Sequence, residues 1–188
     1  MIQPMPQPTR TLHTPCCTLE PLLPAHAEAM FPVLADPAIY EFENAPPVSV
    51  DALHSRFQRL AAGQSPDGSQ QWLNWVLRLP TGDLAGHVQA TVLAGGHAWV
   101  AYELASQHWR QGIGSAAVRA MLQELARTHG VHTAVAVLKA QNHRSAGLLQ
   151  HLGFMPGLPA CNALGTMDSD EIAFHLPLHH HARQVASG

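Results

Sequence analysis

Trp109-Arg110-Gln111-Gly112-Ile113-Gly114-Ser115 stands between a strand-like run, Ala98 to Ala105, and a helix-like run, Ser115 to His129. Before it, Trp99, Val100, Tyr102 and Leu104 make a short apolar, extended-type segment. After it, Ala117, Val118, Met121, Leu122 and Leu125 recur every three or four residues, the period of a helix with one buried face. Gly130 ends that helix. The sequence therefore predicts a strand, a glycine turn and a helix N-terminus. Two glycines there let the backbone approach a bulky anion, the unpaired N–H groups of the first turn point at it, and the helix dipole adds roughly half a positive charge. Arg110 adds a whole one.

Further along comes Asn142-His143-Arg144-Ser145-Ala146-Gly147-Leu148-Leu149-Gln150-His151-Leu152-Gly153-Phe154. Together the two passages resemble the Gcn5-related N-acetyltransferase (GNAT) superfamily. In that family a glycine loop grips the pyrophosphate of acetyl-CoA, and an Asn-x-x-Ser/Ala helix ending in Gly-Phe flanks the pantetheine arm. Leu19-Glu20-Pro21-Leu22, Ala35-Asp36-Pro37-Ala38-Ile39-Tyr40, Gly86-His87-Val88, Tyr102-Glu103-Leu104 and Trp109 are similar to the branch that acetylates ribosomal-protein N-termini, RimJ/RimL-like. The match runs over about residues 9 to 178. It implies an α/β fold of one domain: a mixed, mostly antiparallel sheet of about seven strands, split between the fourth and fifth, with about four helices around it.

Two other readings of the turn exist. Gly112-x-Gly114-x-x-Ala117 also fits a dinucleotide fingerprint, which requires an acidic residue about 20 positions on to hold a ribose. The following run, Val131 to Lys139, has none. Alternatively the glycines only shape a tight connection.

The chain has 188 residues, one ordinary domain, with 46% hydrophobic and 12% charged residues and a formal net charge of −3. That balance offers no basic field to nucleic acid or anionic lipid. No run reaches the roughly 20 apolar residues of a membrane span, and Met1 to Thr14 is proline-rich without an apolar core, unlike a signal peptide. Three cysteines, two of them adjacent at Cys16 and Cys17, form no disulfide framework and suit a reducing cytoplasm. His179, His180 and His181 lack acidic or cysteine partners at ligand spacing, so no metal is expected. Monomer and homodimer both remain open.

Alternation and breakers predict a strand at Thr18 to Leu23, a helix at His26 to Leu34 stopped by Asp36-Pro37, and a helix from Val50 to about Ala62 capped by Ser49. Three strands follow, Trp72 to Leu79, Leu84 to Leu93 and His97 to Ala105. Val131 to Lys139, apolar on both faces, reads as a central strand. Helix Asn142 to Leu152 and strands Phe154 to Pro156 and Glu171 to Leu178 complete the set. The ends read as mobile tails.

The resemblance implies acetyl-CoA as co-substrate, with its pyrophosphate on the N–H groups of Gln111, Gly112, Ile113, Gly114 and Ser115, beside Trp109 and Arg110. Its pantetheine would pair with backbone around Leu104, Ala105 and Ser106, and Asn142 and Ser145 would reach it from the other wall. For Ser145 a plain helix-surface serine, and for Asn142 a plain helix cap, are the competing readings. Acetyl transfer to an amine needs a free amine, an oxyanion site and a proton route for the thiolate. Many relatives supply the last with a Tyr seven residues after the Asn. Here that residue is Leu149, which leaves Ser145, water or nothing. Glu103 is the acid–base candidate because the family places an acidic residue there, with His87 or His108 in reserve; pairing with a basic neighbour is its alternative. Trp72, Trp75, Phe42 and Tyr40 are candidate acceptor-pocket residues, each equally suited to the core. The expected activity is acetyl transfer to a primary amine, at a peptide N-terminus or on a small molecule; a CoA-binding module without catalysis is the alternative.

Overall fold

The structure, a computed structural model, describes residues 9–42, 44–159 and 167–178. Eight strands form one sheet: β1 (Leu12–His13), β2 (Thr18–Pro21), β3 (Gln71–Arg78), β4 (Leu84–Leu93), β5 (His97–Leu104), β6 (Thr133–Lys139), β7 (Met155–Pro156) and β8 (Glu171–Pro177). Their spatial order is β1-β2-β3-β4-β5-β6-β8-β7. Neighbours are antiparallel except β5 and β6, which run parallel. Among the described residues, four α-helices cover the sheet: α1 (Ala27–Leu34), α2 (Val50–Ala61), α3 (Ile113–Thr128) and α4 (His143–His151).

The alternation of β3, β4 and β5 sorts their side chains onto two faces. Leu73, Trp75 and Leu77, with Val88, Ala90 and Val100, pack in one core with Ala117, Val118, Met121 and Leu125 of α3. Val76 turns to the other face and joins Met30 and Leu34 of α1 and Leu53 and Phe57 of α2 in a second core. Helix α2 begins where the sequence places it, Ser49 Oγ accepting from Ala52 N–H at 3.1 Å. Full burial of each large apolar side chain stabilises by roughly 1.5–3 kcal/mol.

The parallel pair is short. Register joins only His97 to Thr133, Ala98 to Ala134 and Trp99 to Val135, and beyond it the two strands diverge. This is the split that the family resemblance implies between the fourth and fifth strands. It falls between β5 and β6 because Leu12–His13, expected in the loose N-terminus, pairs with β2 and adds a strand in front. Arg10 fixes that segment: its guanidinium donates to Glu124 at 3.0 and 2.6 Å and to Thr128 at 2.7 Å, while its carbonyl accepts from the buried Trp75 indole at 2.7 Å.

Other boundaries shift for local reasons. The strand expected to reach Leu23 stops at Pro21, because Pro24–His26 makes a tight turn ahead of α1. Helix α3 starts at Ile113, two residues early, since Gly112 is itself the cap residue. Val131 precedes β6 and is buried against α3, its N–H on Leu125 O at 3.1 Å. Residues 160–166 and 179–188, including Cys161 and the His179-His181 trio, lie outside the described residues. Among the described residues no helix is long and apolar enough to cross a membrane, and no group of three or more His, Cys, Asp or Glu could hold a metal ion.

Candidate active site

The diverging ends of β5 and β6 open a cavity of about 470 Å³. Its walls come from β5, β6, the N-termini of α3 and α4, and the turn Pro37–Tyr40 with Phe42.

At one end sits the glycine turn. Gly112 caps α3 with φ 80°, and Arg110 takes φ 58°. A side chain at Gly112 meets no atom, so the glycine is required by its left-handed backbone. No side chain caps the helix, and the first intrahelical bond runs from Ala116 N–H to Gly112 O at 3.0 Å. The N–H groups of Ile113, Gly114 and Ser115 are therefore available to an anion. Gly114 serves packing: a Cβ there would lie 3.2 Å from Leu148 Cδ1, so the glycine lets α3 approach α4.

Along the wall, Ala105 N–H bonds Ala85 O at 2.9 Å. By the alternation of an antiparallel ladder, the backbone groups of Tyr102 and Leu104 then point away from β4, into the split. Leu104 O is already taken by the Trp109 indole at 2.8 Å, and Ser106 N–H by Asp36 Oδ2 at 2.8 Å. Of the stretch expected to pair with pantetheine, Ala105 and Ser106 are thus committed to the protein. What the split offers is Tyr102 N–H and C=O and Leu104 N–H.

On the α3–α4 face of β5 the Tyr102 hydroxyl reaches across the split to α4, 2.6 Å from Ser145 Oγ and 3.2 Å from Ser145 O. Burial pushes this phenol up to about 12. Asn142 caps α4, its Oδ1 accepting from Ser145 N–H at 3.0 Å. Leu149 is fully buried. Arg144 closes this wall, its guanidinium 4.3 Å from the Trp109 ring centre and 5.5 Å from that of Phe42, and paired with Glu41 at 2.5 Å.

On the opposite face of β5 stand Glu103, His87 and Tyr40. His87 Nδ1 lies 3.8 Å from Glu103 Oε2, beyond hydrogen-bond range. His87 is 2% exposed, and burial lowers its pKa, opposed by the Glu103 charge and assisted by Arg56. Tyr40 is pushed up to about 12 by burial and then by Glu103. Among the described residues, Glu103 Oε2, His87 Nδ1 and Tyr40 Oη are all buried without a hydrogen-bond partner. Gly86 lets the backbones of β4 and β5 approach closely here, since a Cβ there would run into Glu103 O.

Among the residues singled out from sequence, Glu103, Leu104, Trp109, Arg110, Gly112 and Gly114 line the cavity, as do Ser115, Asn142 and Ser145. Ala105 and Ile113 are buried in the core, and Gln111 is exposed with its side chain on Gln107 O. Tyr40 and Phe42 line the cavity, but Trp72 and Trp75 do not. Trp75 is wholly core because its alternation sends it to the α3 face. Asp36 and Arg144 act at the site without having been marked. Asp36 reads in sequence as a helix breaker before Pro37, and its hold on Ser106, 70 residues away, has no local signature.

A sequence model of the family described as "Acetyltransferase (GNAT) domain" matches residues 17–155, most of the chain. The chain belongs to the GNAT acetyltransferases, enzymes whose co-substrate is acetyl-CoA. No curated protein sequence matches it. Solved structures share the fold. RimL, a ribosomal alpha-N-protein acetyltransferase in complex with coenzyme A, is 14% identical, with 90% of this chain and 98% of that chain covered and a TM-score of 0.73. A ribosomal-protein-alanine acetyltransferase from Vibrio fischeri is 17% identical over 91% and 98%, TM-score 0.72. The microcin self-immunity acetyltransferase MccE, in complex with acetyl-CoA and AMP, is 16% identical over 87% and 93%, TM-score 0.72.

Proposed function

We propose that this protein transfers the acetyl group of acetyl-CoA to a primary amine, with the cavity between β5 and β6 as the site. One observation carries this reading: the split has a helix N-terminus without a side-chain cap at one end and, on the face away from α3, three buried polar atoms with no hydrogen-bond partner among the described residues. Bound acetyl-CoA supplies an activated acyl carbon and a thiolate leaving group. The first-turn N–H groups of α3, with Arg110, receive its pyrophosphate. The free backbone groups of Tyr102 and Leu104 line its arm, and Leu104 N–H is a donor for the developing oxyanion.

Tyr102 and Glu103 are neighbours on one strand and face opposite sides, so the two ends of the reaction are served from opposite faces. Glu103 orients the ammonium and takes its proton, directly or through water. The amine nitrogen then bonds to the acyl carbon as the carbon–sulfur bond breaks, and the proton left on that nitrogen passes to water to give the neutral amide. The Tyr102–Ser145 hydroxyl pair donates a hydrogen bond to the leaving sulfur, which gains its proton from solvent. With its pKa at about 12, Tyr102 stays protonated throughout, so it acts as a donor rather than as an acid.

An α-amine is the favoured acceptor. At pH 7 its free base costs about 1 kcal/mol, against about 4.6 kcal/mol for a lysine side chain. RimL and the Vibrio fischeri relative, both named for acting on ribosomal proteins, support a peptide N-terminus. The test is thiol release from acetyl-CoA over a panel of N-terminal peptides, free amino acids and small amines. Faster acetylation of internal lysines, or binding of acetyl-CoA with no turnover on any amine, overturns the reading.

A further inference from the structure

Glu103 Oε2, His87 Nδ1 and Tyr40 Oη come from three different elements, β5, β4 and the Pro37–Tyr40 turn, and their residues all line the one cavity. Each is buried and has no hydrogen-bond partner among the described residues. Leaving one such atom unsatisfied costs about 1–3 kcal/mol, so three together mark a place built for something else. Their chemistry is uniform. A carboxylate oxygen only accepts. The buried His87, neutral at pH 7, can present a bare Nδ1 with its proton on Nε2, and a phenol oxygen accepts through its lone pairs. A primary ammonium has three N–H donors.

The spacing fits as well. An atom placed about 2.85 Å from both His87 Nδ1 and Glu103 Oε2, which are 3.8 Å apart, sees them at an angle of about 84°, against about 109° for two ideal N–H directions. A widening of less than about 1 Å gives the ideal. The charges facing the group are Glu103, Asp36 and Arg56: Glu103 and Asp36 act on Tyr40, and Arg56 on both Tyr40 and His87. Among the described residues, Glu103 is the carboxylate that pairs with His87, at 3.8 Å.

We infer that Glu103, His87 and Tyr40 form a three-acceptor receptor for a primary ammonium group, which makes the protein selective against secondary amines, N-terminal proline included. This rests on the cavity being the amine site. A secondary ammonium has two N–H donors and leaves one acceptor orphaned. The discrimination is a property of the receptor, because secondary amines are no poorer nucleophiles than primary ones once neutral.

The test compares an alanine-initiated tetrapeptide with its N-methylalanine and proline counterparts, and n-butylamine with N-methylbutylamine. Thiol release gives kcat/KM, and calorimetry in the presence of CoA gives binding of the same probes. The primary member should be favoured by roughly 10- to 100-fold in each pair, the worth of one hydrogen bond to a charged group. Tyr40→Phe removes one acceptor and should bring each ratio to within about threefold of unity, with acetyl-CoA affinity near wild type and a melting temperature at or above it, since an orphaned hydroxyl is removed. Equal handling of primary and secondary probes by the wild type refutes the receptor, and so does a Tyr40→Phe variant that slows both members alike. If no amine releases thiol, the acetyltransferase reading fails while calorimetry still decides: a primary preference upholds the receptor, and none refutes it.

Discussion

Asp36 is the residue whose loss should tell most about how the site is assembled. Its Oδ1 accepts from Ala38 N–H at 3.0 Å and caps the turn that carries Tyr40; its Oδ2 accepts from Ser106 N–H at 2.8 Å just beyond β5. Hydrogen bonds from Ser106, more than that from Ala38, hold its carboxyl below the usual range. Asp36→Ala removes a cap worth about 1 kcal/mol and strands Ser106 N–H at about 1–3 kcal/mol. Since Asp36 is only half-buried, the lower part of that range applies, about 2 kcal/mol in all. For a chain of this size that lowers Tm by about 4–8 °C. The Tyr40 turn, released from β5, should raise KM for the amine about tenfold while the acetyl-CoA Kd changes less than twofold. Asp36→Asn keeps one acceptor oxygen and should lose about half as much stability. Differential scanning calorimetry and steady-state kinetics with a primary-amine peptide are the assays. A Tm within about 1 °C of wild type and an unchanged amine KM for Asp36→Ala would refute the idea that this carboxylate ties the turn to the strand.

Gly112→Ala must hold a non-glycine residue at φ 80°, a cost of about 1–2 kcal/mol, and should weaken acetyl-CoA binding by about fivefold or more in calorimetry; unchanged affinity in a folded variant removes the phosphate cradle. Tyr102→Phe keeps the packing and loses the Ser145 contact, so kcat should fall roughly 10- to 100-fold with acetyl-CoA affinity retained; because Tyr102 stays protonated to about pH 12, the wild-type rate should show no loss on the alkaline side up to about pH 10, and a decline there would mark it as a titrating acid. His87 and His129 both have pKa values lowered first by burial, with Glu103 and Glu124 respectively opposing. The unfolded chain therefore binds protons more readily, and their contribution to stability is whole above about pH 6.5 and declines as pH falls from there toward the folded-state values. Chemical denaturation at pH 7.5 and 5.5 should show the loss, and Glu124→Gln, which removes the charge opposing the shift at His129, should deepen it.

What could be read from the chain alone was whatever local physics writes locally. The strand, glycine turn and helix at 97–128 follow from period, from a left-handed glycine and from a helix start without a side-chain cap. Ser49 announces α2 because a cap needs only the next three residues. Trp75 shows where this stops: an aromatic in a strand is core or pocket according to which way the alternation happens to face, and that depends on where α3 packs.

The sequence by itself determined the order of elements from β2 onward, the strand–glycine turn–helix and the family, since each is set by residues close together or by a motif with fixed spacing. Only the tertiary structure decided the chemistry of the cavity. Tyr102 meets Ser145 across 43 residues, Asp36 reaches Ser106 across 70, and three elements bring His87, Glu103 and Tyr40 to one cavity. Those meetings follow from the register of β4 on β5 and from the early end of the β5–β6 pairing, cooperative outcomes of packing two cores on one sheet, which no short stretch of sequence specifies.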